Sequence, residues 1–450
     1  MSSIPVSLTF SALLAKLHEV VESIEDPRRK SNGTHYQVKD AVISAFSTFF
    51  MQCSSFLEFQ RQMHNRQQRD NVQTLFGVNQ IPSDAQIRNI LDLLSVTVLI
   101  PIFLWIYHTL RNAGYLASYE VLDGQLLVGM DGTEFFRSQQ IQCACCSQCK
   151  PKDGRMSYFH QAILPVIVAP AHEQVISLPP EFITPQDGHD KQDCETAAAK
   201  RWVHAYAKEF EPGRVTLLGD DLYSRQPMCE LVLEQGFHFI FTCLSESHGS
   251  LYEWLTFLQA NGEVHSFRHR HWDGQQWVIY QFRYANGVPI RDTQPALTVN
   301  WFEMKVTQER EGHCLYFNSF ITDHLLFDGV LMEMGQSARA RWKSENENHN
   351  VLKTKGYHLE HNFGHGHQGL ANILLSLNVL AFLCHTVLAL VDASYQVLRG
   401  RLGKRVTFFE HLRTLTQYLV FESWQQLMAF MLERTEQLPS RRIKRRLNSS

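Results

Sequence analysis

Two apolar runs in this sequence end in aspartate, "LLVGMD" at Asp131 and "VTLLGDD" at Asp220 and Asp221. Short runs of this kind predict buried strands, and functional groups gather at strand ends of an α/β sheet. Carboxylates suit a hard cation such as Mg²⁺, which also offsets the repulsion between two acids held close together. We predict a metal site formed by Asp131 and Asp220. Asp221 caps the next helix, expected to begin near Ser224, or contributes to the local electrostatic field, or replaces Asp220 as ligand.

A third acid is expected on a later helix, from about Met334 to Lys353, that contains "ARARWKSENENHNVLK". The i, i+4 spacing places Arg341, Glu345 and His349 on one face of that helix. Glu347 is turned about 200 degrees from Glu345, so only one of the two can join the site unless the helix is distorted.

The stretch after this helix, "GYHLEHNFGHGHQ", is dense in polar residues. Glu360 is the reserve candidate for the third acid. The histidines of this stretch either contact DNA and support the site, or belong to a loop that forms hydrogen bonds with its own backbone. They include His361, His365 and His367.

A cysteine cluster, "CACCSQC", places Cys143, Cys146 and Cys149 at two successive C-x-x-C spacings, with His160 nearby. Three thiolates and one imidazole can complete a tetrahedral zinc site. The alternative is a set of reduced cysteines in an exposed loop between two strands. Ten cysteines in a chain expected to be cytosolic predict thiols or metal ligands rather than disulfides.

Three regions must position these residues. Residues 1–115 show helical periodicity, with Ser83 or Asp84 as the N-cap of one helix and a basic "DPRRK" cluster, and are our first candidate for a DNA-binding domain. Residues 116–365 predict an α/β domain with a mixed sheet and a β-rich insertion at about 245–311. Residues 366–450 predict a helical region with a basic tail.

The composition describes an ordinary globular protein, whose net charge of -3 does not by itself indicate nucleic-acid binding. Local basic clusters do suit phosphate contacts; they are "RHRHW", "ARARWK", "RGRLGKR" and "SRRIKRRLNSS". The N-terminus lacks the pattern of a signal peptide, which predicts a cytoplasmic protein. The apolar segment Leu370–Val391 is interrupted by Asn372, Asn378 and His385, so we predict a buried core helix rather than a membrane span.

Together, "MDGTEFF", "LGDDLYS" and "RARWKSENENHNVLKTKGYHLEHNFGHG" resemble the DDE transposases of bacterial insertion sequences, whose catalytic core is ribonuclease-H-like. The resemblance implies Asp131 as the first acid. Tyr223, three positions after Asp220, selects Asp220 over Asp221, and the preceding Arg-Trp pair selects Glu345. A related signature has Tyr and Lys where this chain has Ala338 and Leu352, with Lys353 one place later, so the acids match better than the accessory residues.

The resemblance also implies cofactors, partners and a location. Two Mg²⁺ or Mn²⁺ ions at Asp131, Asp220 and Glu345 would serve an in-line displacement at phosphorus. The expected DNA contacts are Arg341, Trp342, His349 and Lys353. A homodimer would act on transposon ends and target DNA in the bacterial cytoplasm, associated with the nucleoid and without a membrane. The alternatives are a metal-dependent nuclease without strand transfer and an inactive DNA-binding relative.

Overall fold

The computed structural model describes residues 8–29, 35–63, 70–150, 154–185 and 193–436. The chain is mixed α/β, with a large mixed sheet and helical ends, which confirms the predicted class at that level. The basic tail and Lys30 of the "DPRRK" cluster lie outside the described residues.

Helices form the chain before the first strand. They are α1 (Phe10–Glu22), α2 (Val38–Phe50), α3 (Phe56–Met63), α4 (Asn71–Phe76), α5 (Asp84–Leu91) and α6 (Ile100–Asn112). The Ser83 side chain accepts a hydrogen bond from the backbone N–H of Gln86, so Ser83 is the N-cap of α5, one of the two predicted candidates. In α2 every residue but one is buried, because other helices pack around it.

Strands dominate the middle of the chain. They are β1 (Leu126–Gly129), β2 (Gly132–Ser138), β3 (Ser147–Cys149), β4 (Ser157–Ile163), β5 (Val166–Val168), β6 (Ile176–Ser177), β7 (Glu181–Ile183), β8 (Val215–Gly219), β9 (His238–Thr242), β10 (His265–Trp272), β11 (Trp277–Pro289), β12 (Thr298–Gln308) and β13 (Cys314–Thr322). Three helices lie between them: α7 (Glu195–Tyr206), α8 (Gln226–Glu234) and α9 (Gly249–Ala260).

The central sheet has nine strands in the order β10-β11-β12-β13-β9-β8-β1-β5-β6. β1 pairs antiparallel with β5 and parallel with β8, and β8 pairs parallel with β9. The strands of the predicted β-rich insertion extend this same sheet. β13 pairs with β9, and β12, β11 and β10 then follow as successive antiparallel neighbours. Pairing with β13 covers the edge of β9, which would otherwise expose unpaired backbone groups.

A smaller sheet begins directly after Asp131. Its order is β2-β4-β3, and β7 also pairs with β4. Gly132, the first residue of β2, pairs with Ile163 at the end of β4. Of the predicted metal-binding cysteines, Cys149 lies on β3, whereas Cys143 and Cys146 lie in the loop between β2 and β3.

Helices complete the chain: α10 (Asp328–Arg339), α11 (Asn350–Thr354), α12 (Leu370–Val391), α13 (Ala393–Leu402), α14 (Arg405–Tyr418) and α15 (Trp424–Glu436). Among the described residues, α12 is the one unbroken helix long and apolar enough to cross a membrane. Its most apolar window is 89% buried inside the structure, as in the core helix of a soluble protein. Two of its polar interruptions have internal partners, since Asn378 donates to the Tyr357 carbonyl and His385 bonds the Tyr357 hydroxyl.

The two terminal helical regions, predicted as separate, pack against each other. The rings of Phe10 in α1 and Trp424 in α15 lie 4.6 Å apart. The Arg413 guanidinium in α14 donates to the Gln52 carbonyl at 2.9 Å. α2 and α12 are buried on almost all sides, so each needs neighbours around its whole circumference, and the two helices pack against each other.

Candidate functional site

Asp131 and Asp220 follow adjacent parallel strands. Gly129 at the end of β1 pairs with Leu218 of β8, so the register, continued by two residues, places Asp131 opposite Asp220. A hydrogen bond of 2.9 Å from the Met130 N–H to the Leu218 carbonyl holds this register at the strand end. Both side chains are partly buried. The predicted pair therefore lies at one edge of the sheet.

Glu345 lies close enough to Asp131 for its charge to raise the pKa of that carboxyl, and it belongs to a helical segment with altered winding. Residues Ser344–His349 form a π-helical segment, whose wider turn alters the α-helical angles on which the sequence prediction rested. A Cβ atom at Gly129 would lie 2.2 Å from Ser344 Oγ, so only glycine allows this close approach to β1. Glu345 is the next residue and is exposed.

Electrostatics connect the acids with one another. The pKa of Asp131 is raised to about 7, first by burial and then by the charges of Glu195, Asp220 and Glu345, while the Arg341 charge opposes the rise. Such a cluster of carboxylates is unfavourable unless a cation shares it. The charges that act on Asp131 thus include that of Glu345, whereas Glu347 lines a separate cavity with Lys343.

Glu195, which the sequence analysis did not assign, is a fourth carboxylate at this site. Its Oε1 accepts hydrogen bonds from the Gly132 N–H at 3.2 Å and from the Tyr223 hydroxyl at 2.8 Å. Burial raises the pKa of Glu195, the hydrogen bond from Tyr223 opposes the rise, and the Asp220 charge adds to it. Glu195 is the first residue of α7, where acids are common helix stabilisers, so its position alone carried no functional signal.

The Asp221 carboxylate forms hydrogen bonds with the loop that follows β9. Its Oδ1 accepts hydrogen bonds from the Leu244 N–H and the Ser247 hydroxyl, both at 2.7 Å. The expectation that Asp221 caps the following helix is wrong, because this carboxylate instead holds the loop after β9. With Asp221 engaged there, the geometry favours Asp220 as the acid that faces Asp131.

The four residues predicted to contact DNA lie in different environments. His349 is buried, its Nδ1 lies 3.6 Å from Asp131 Oδ2, and burial lowers its pKa to about 4, so it cannot meet DNA from the surface. Lys353 is partly buried and pairs with exposed Glu360 at 2.9 Å, so the carboxylate of the reserve candidate Glu360 is directed to Lys353. Trp342 lines the cavity that holds Glu347, whereas Arg341 lies close enough to Asp131 to lower its pKa.

A second candidate metal site contains three of the four predicted zinc ligands. The side-chain ligand atoms of Cys143, Cys146, His160 and His365 all lie within 4.8 Å of one another. Cys149 does not belong to the group, which corrects the predicted set. It lies in extended β3, and the three residues after Cys146 can carry it about 10 Å away. Its place is taken by His365, whose only sequence signal was the histidine-rich stretch after the third acid.

A third cluster, His238, Asp323 and His324, lies at the opposite end of β9. His238 bonds Asp323 at 2.6 Å, which raises the pKa of His238, and His324 bonds the Thr216 hydroxyl at 3.0 Å. These bonds engage His238 Nδ1 and His324 Nε2, so an ion pair with a supporting histidine accounts for the cluster without a metal.

No protein-family model and no curated protein matches this sequence.

Proposed function

We propose that this protein is a DDE-type transposase, an enzyme that uses metal ions to cleave DNA at the ends of a mobile element and to join those ends to target DNA. The observation that carries the proposal is the placement of Asp131 opposite Asp220, with Glu345 close enough for its charge to act on Asp131. These are the three acids that the family resemblance selects.

The strand order supports a ribonuclease-H-like core within this proposal. The strands β6, β5 and β1 pair antiparallel, and β8 and β9 then continue from β1 in parallel. Asp131 follows the central strand and Asp220 follows its parallel neighbour. A helix after the sheet carries the third acid, so the acids and the elements follow one another in the order that the family resemblance implies.

The residues at this edge fit hard divalent cations. Asp131, Asp220 and Glu345 would hold two Mg²⁺ or Mn²⁺ ions, and Glu195 supplies a further carboxylate beside them. Bound ions would stabilise the attacking and leaving oxygens during displacement at phosphorus. The chain itself keeps the acids in place: Tyr223 holds Glu195 by a hydrogen bond, and uncharged His349 packs beside Asp131 without adding to the local charge.

DNA contacts are proposed at two places. Arg341 offers a positive charge next to the acids, where a phosphate would lie. The edge strand β10 exposes Arg268 and Arg270 on one of its faces and His269 and His271 on the other, and Arg270 also pairs with Glu309 at 2.7 Å. Cationic side chains on such an edge suit a phosphate backbone. We infer that the active complex is a homodimer on paired DNA ends in the bacterial cytoplasm.

The test uses a supercoiled plasmid that carries the DNA flanking this gene, incubated with the full-length protein and Mg²⁺. We expect nicks at the element ends, followed by joined products that high-resolution sequencing detects. Cleavage without joining would support a nuclease, and DNA binding without cleavage would support an inactive relative. Either result would overturn the transposase proposal.

Neighbouring acids provide matched controls. We expect Asp131→Asn, Asp220→Asn and Glu345→Gln each to abolish cleavage while circular dichroism stays unchanged. Asp221→Asn and Glu347→Gln, which remove acids one and two positions away, should retain it. If Glu347→Gln were inactive and Glu345→Gln active, the third acid would be assigned wrongly.

A further inference from the structure

We propose that Cys143, Cys146, His160 and His365 bind a structural zinc ion that fastens the small sheet after Asp131 to the segment between α11 and α12. This zinc site goes beyond the proposed function, because cleavage and joining of DNA at the acidic site do not require zinc. It rests on the distances among four ligand atoms, on the hydrogen bond made by His365, and on the surroundings of the cluster.

The distances match the edges of a tetrahedral zinc site. Zinc bonds of about 2.3 Å to sulfur and about 2.05 Å to nitrogen give edges of about 3.8 Å for S–S, 3.6 Å for S–N and 3.3 Å for N–N. The Sγ atoms of Cys143 and Cys146 lie 3.8 Å apart. His160 Nε2 lies 3.4 Å from each sulfur and 3.1 Å from His365 Nε2, which is 3.3 Å from Cys146 Sγ.

The imidazole of His365 is oriented for a metal. Its Nδ1 lies 3.1 Å from the Gly366 carbonyl oxygen, to which an Nδ1–H would donate. That tautomer leaves Nε2 unprotonated, with its lone pair directed at the cluster, which is the arrangement common among zinc-bound histidines. The next residue, Gly366, has a φ of +70°, in the left-handed region that favours glycine.

Burial and charge also suit zinc. Cys146, His160 and His365 are buried, and the Phe136 ring lies 4.5 Å from the His365 ring. Two thiolates and two neutral imidazoles balance the charge of Zn²⁺, so the complex can be buried without a net charge.

The site would connect distant parts of the chain. His160 and His365 are 205 residues apart, and the chain between them contains Asp220 and Glu345. His160 lies on β4, which pairs with the strand that begins directly after Asp131. His365 lies in the loop before α12, where Asp92 accepts hydrogen bonds from three backbone N–H groups. Zinc would therefore connect the chain that follows Asp131 with the chain that follows Glu345.

The first measurement is the metal content of the full-length wild-type protein after expression with added zinc and dialysis. We expect about one zinc per chain by elemental mass spectrometry. Protein loaded with Co²⁺ should show intense visible bands of a tetrahedral site and a thiolate-to-cobalt charge-transfer band. Wild-type protein without stoichiometric zinc, or a cobalt spectrum without the thiolate band, would overturn the proposal without any variant.

Variants then assign the ligands. We expect Cys146→Ser and His365→Ala to lose the zinc and the cobalt–thiolate spectrum. Cys149→Ser and Cys314→Ser, which alter exposed cysteines outside the cluster, should keep both. Asp131→Asn should also keep the zinc, which distinguishes this site from the acidic one. Zinc retained by folded His365→Ala but lost by Cys149→Ser would return Cys149 to the ligand set and refute the one proposed here.

Discussion

The Tyr223 hydroxyl donates a hydrogen bond of 2.8 Å to the Glu195 carboxylate, although the two residues are 28 positions apart. Tyr223 is fully buried, and its ring packs beneath Gly219, where a Cβ atom would lie 2.8 Å from the ring. The tyrosine that accompanies Asp220 in the sequence motif is therefore a positioning residue for another acid.

Tyr223→Phe tests this relationship, because it removes the hydroxyl and keeps the ring. Loss of a hydrogen bond to a charged group should lower the free energy of unfolding by about 1.5–3 kcal/mol. We expect metal-dependent cleavage to fall as well, since Glu195 loses one of its two described anchors. Urea unfolding and the plasmid assay measure the two effects. Tyr252→Phe, which removes a buried hydroxyl remote from the acids, should affect stability alone.

Gly129→Ala tests the approach of the π-helical segment to β1. The added methyl would meet Ser344 Oγ at 2.2 Å, so the segment must shift, at a cost of about 1–3 kcal/mol. We expect lower stability and weaker cleavage. Because Ser344 Oγ has no hydrogen-bond partner among the described residues, Ser344→Ala alone should cost little and should rescue Gly129→Ala.

A suitable control for this pair is Gly249→Ala, since a Cβ atom there meets nothing within 4 Å. Failure of Ser344→Ala to restore the double variant would show that the contact with Ser344 is not what requires glycine at position 129.

Lys343 anchors the start of the same segment. Its buried Nζ donates to the carbonyl oxygens of Ala169 at 2.8 Å and Pro170 at 3.1 Å. Lys343→Met keeps the aliphatic stem but leaves these carbonyls without a donor, which should cost about 1–3 kcal/mol. We expect cleavage to fall with it. Exposed Lys355→Met should change neither unfolding in urea nor cleavage, and an equal loss in both variants would argue against the anchor.

The His324 side chain predicts a pH dependence of stability. Burial lowers its pKa from 6.5 to about 4, while the Asp323 charge opposes this and His238 adds to it. Between these values the unfolded chain binds a proton that the folded chain does not, so stability should fall as the pH drops from 6.5 towards 4. The full loss is about 3 kcal/mol, from about 1.4 kcal/mol per pKa unit.

Urea unfolding at pH values between about 5 and 6.5 measures this loss. His324→Asn should make the profile shallower, with His349, whose pKa is also lowered to about 4, keeping part of the slope, and exposed His204→Asn should leave the profile unchanged. His238 acts in the opposite sense: its bond to Asp323 raises its pKa, so its contribution is present below 6.5 and is lost as the pH rises through the raised value. An unchanged acid limb in His324→Asn would contradict the assignment.

Local sequence patterns were sufficient to predict many of the secondary-structure elements and several candidate site residues. Apolar runs that end in aspartate located Asp131 and Asp220, because a strand and its following residue are encoded by adjacent side chains. The Arg-Trp-Lys-Ser-Glu stretch located Glu345, and C-x-x-C spacing located Cys143 and Cys146. Helical ends, a mixed sheet and the buried character of Leu370–Val391 were also readable from periodicity.

Only the tertiary structure decided the rest. Glu195 and His365 join their sites across long separations, so no local spacing marks them. Cys149 is directed away because β3 is extended, and Asp221 is engaged by a loop that follows another strand. Local propensity determines which elements form, whereas packing between distant elements determines which side chains meet, and that packing depends on the whole core at once.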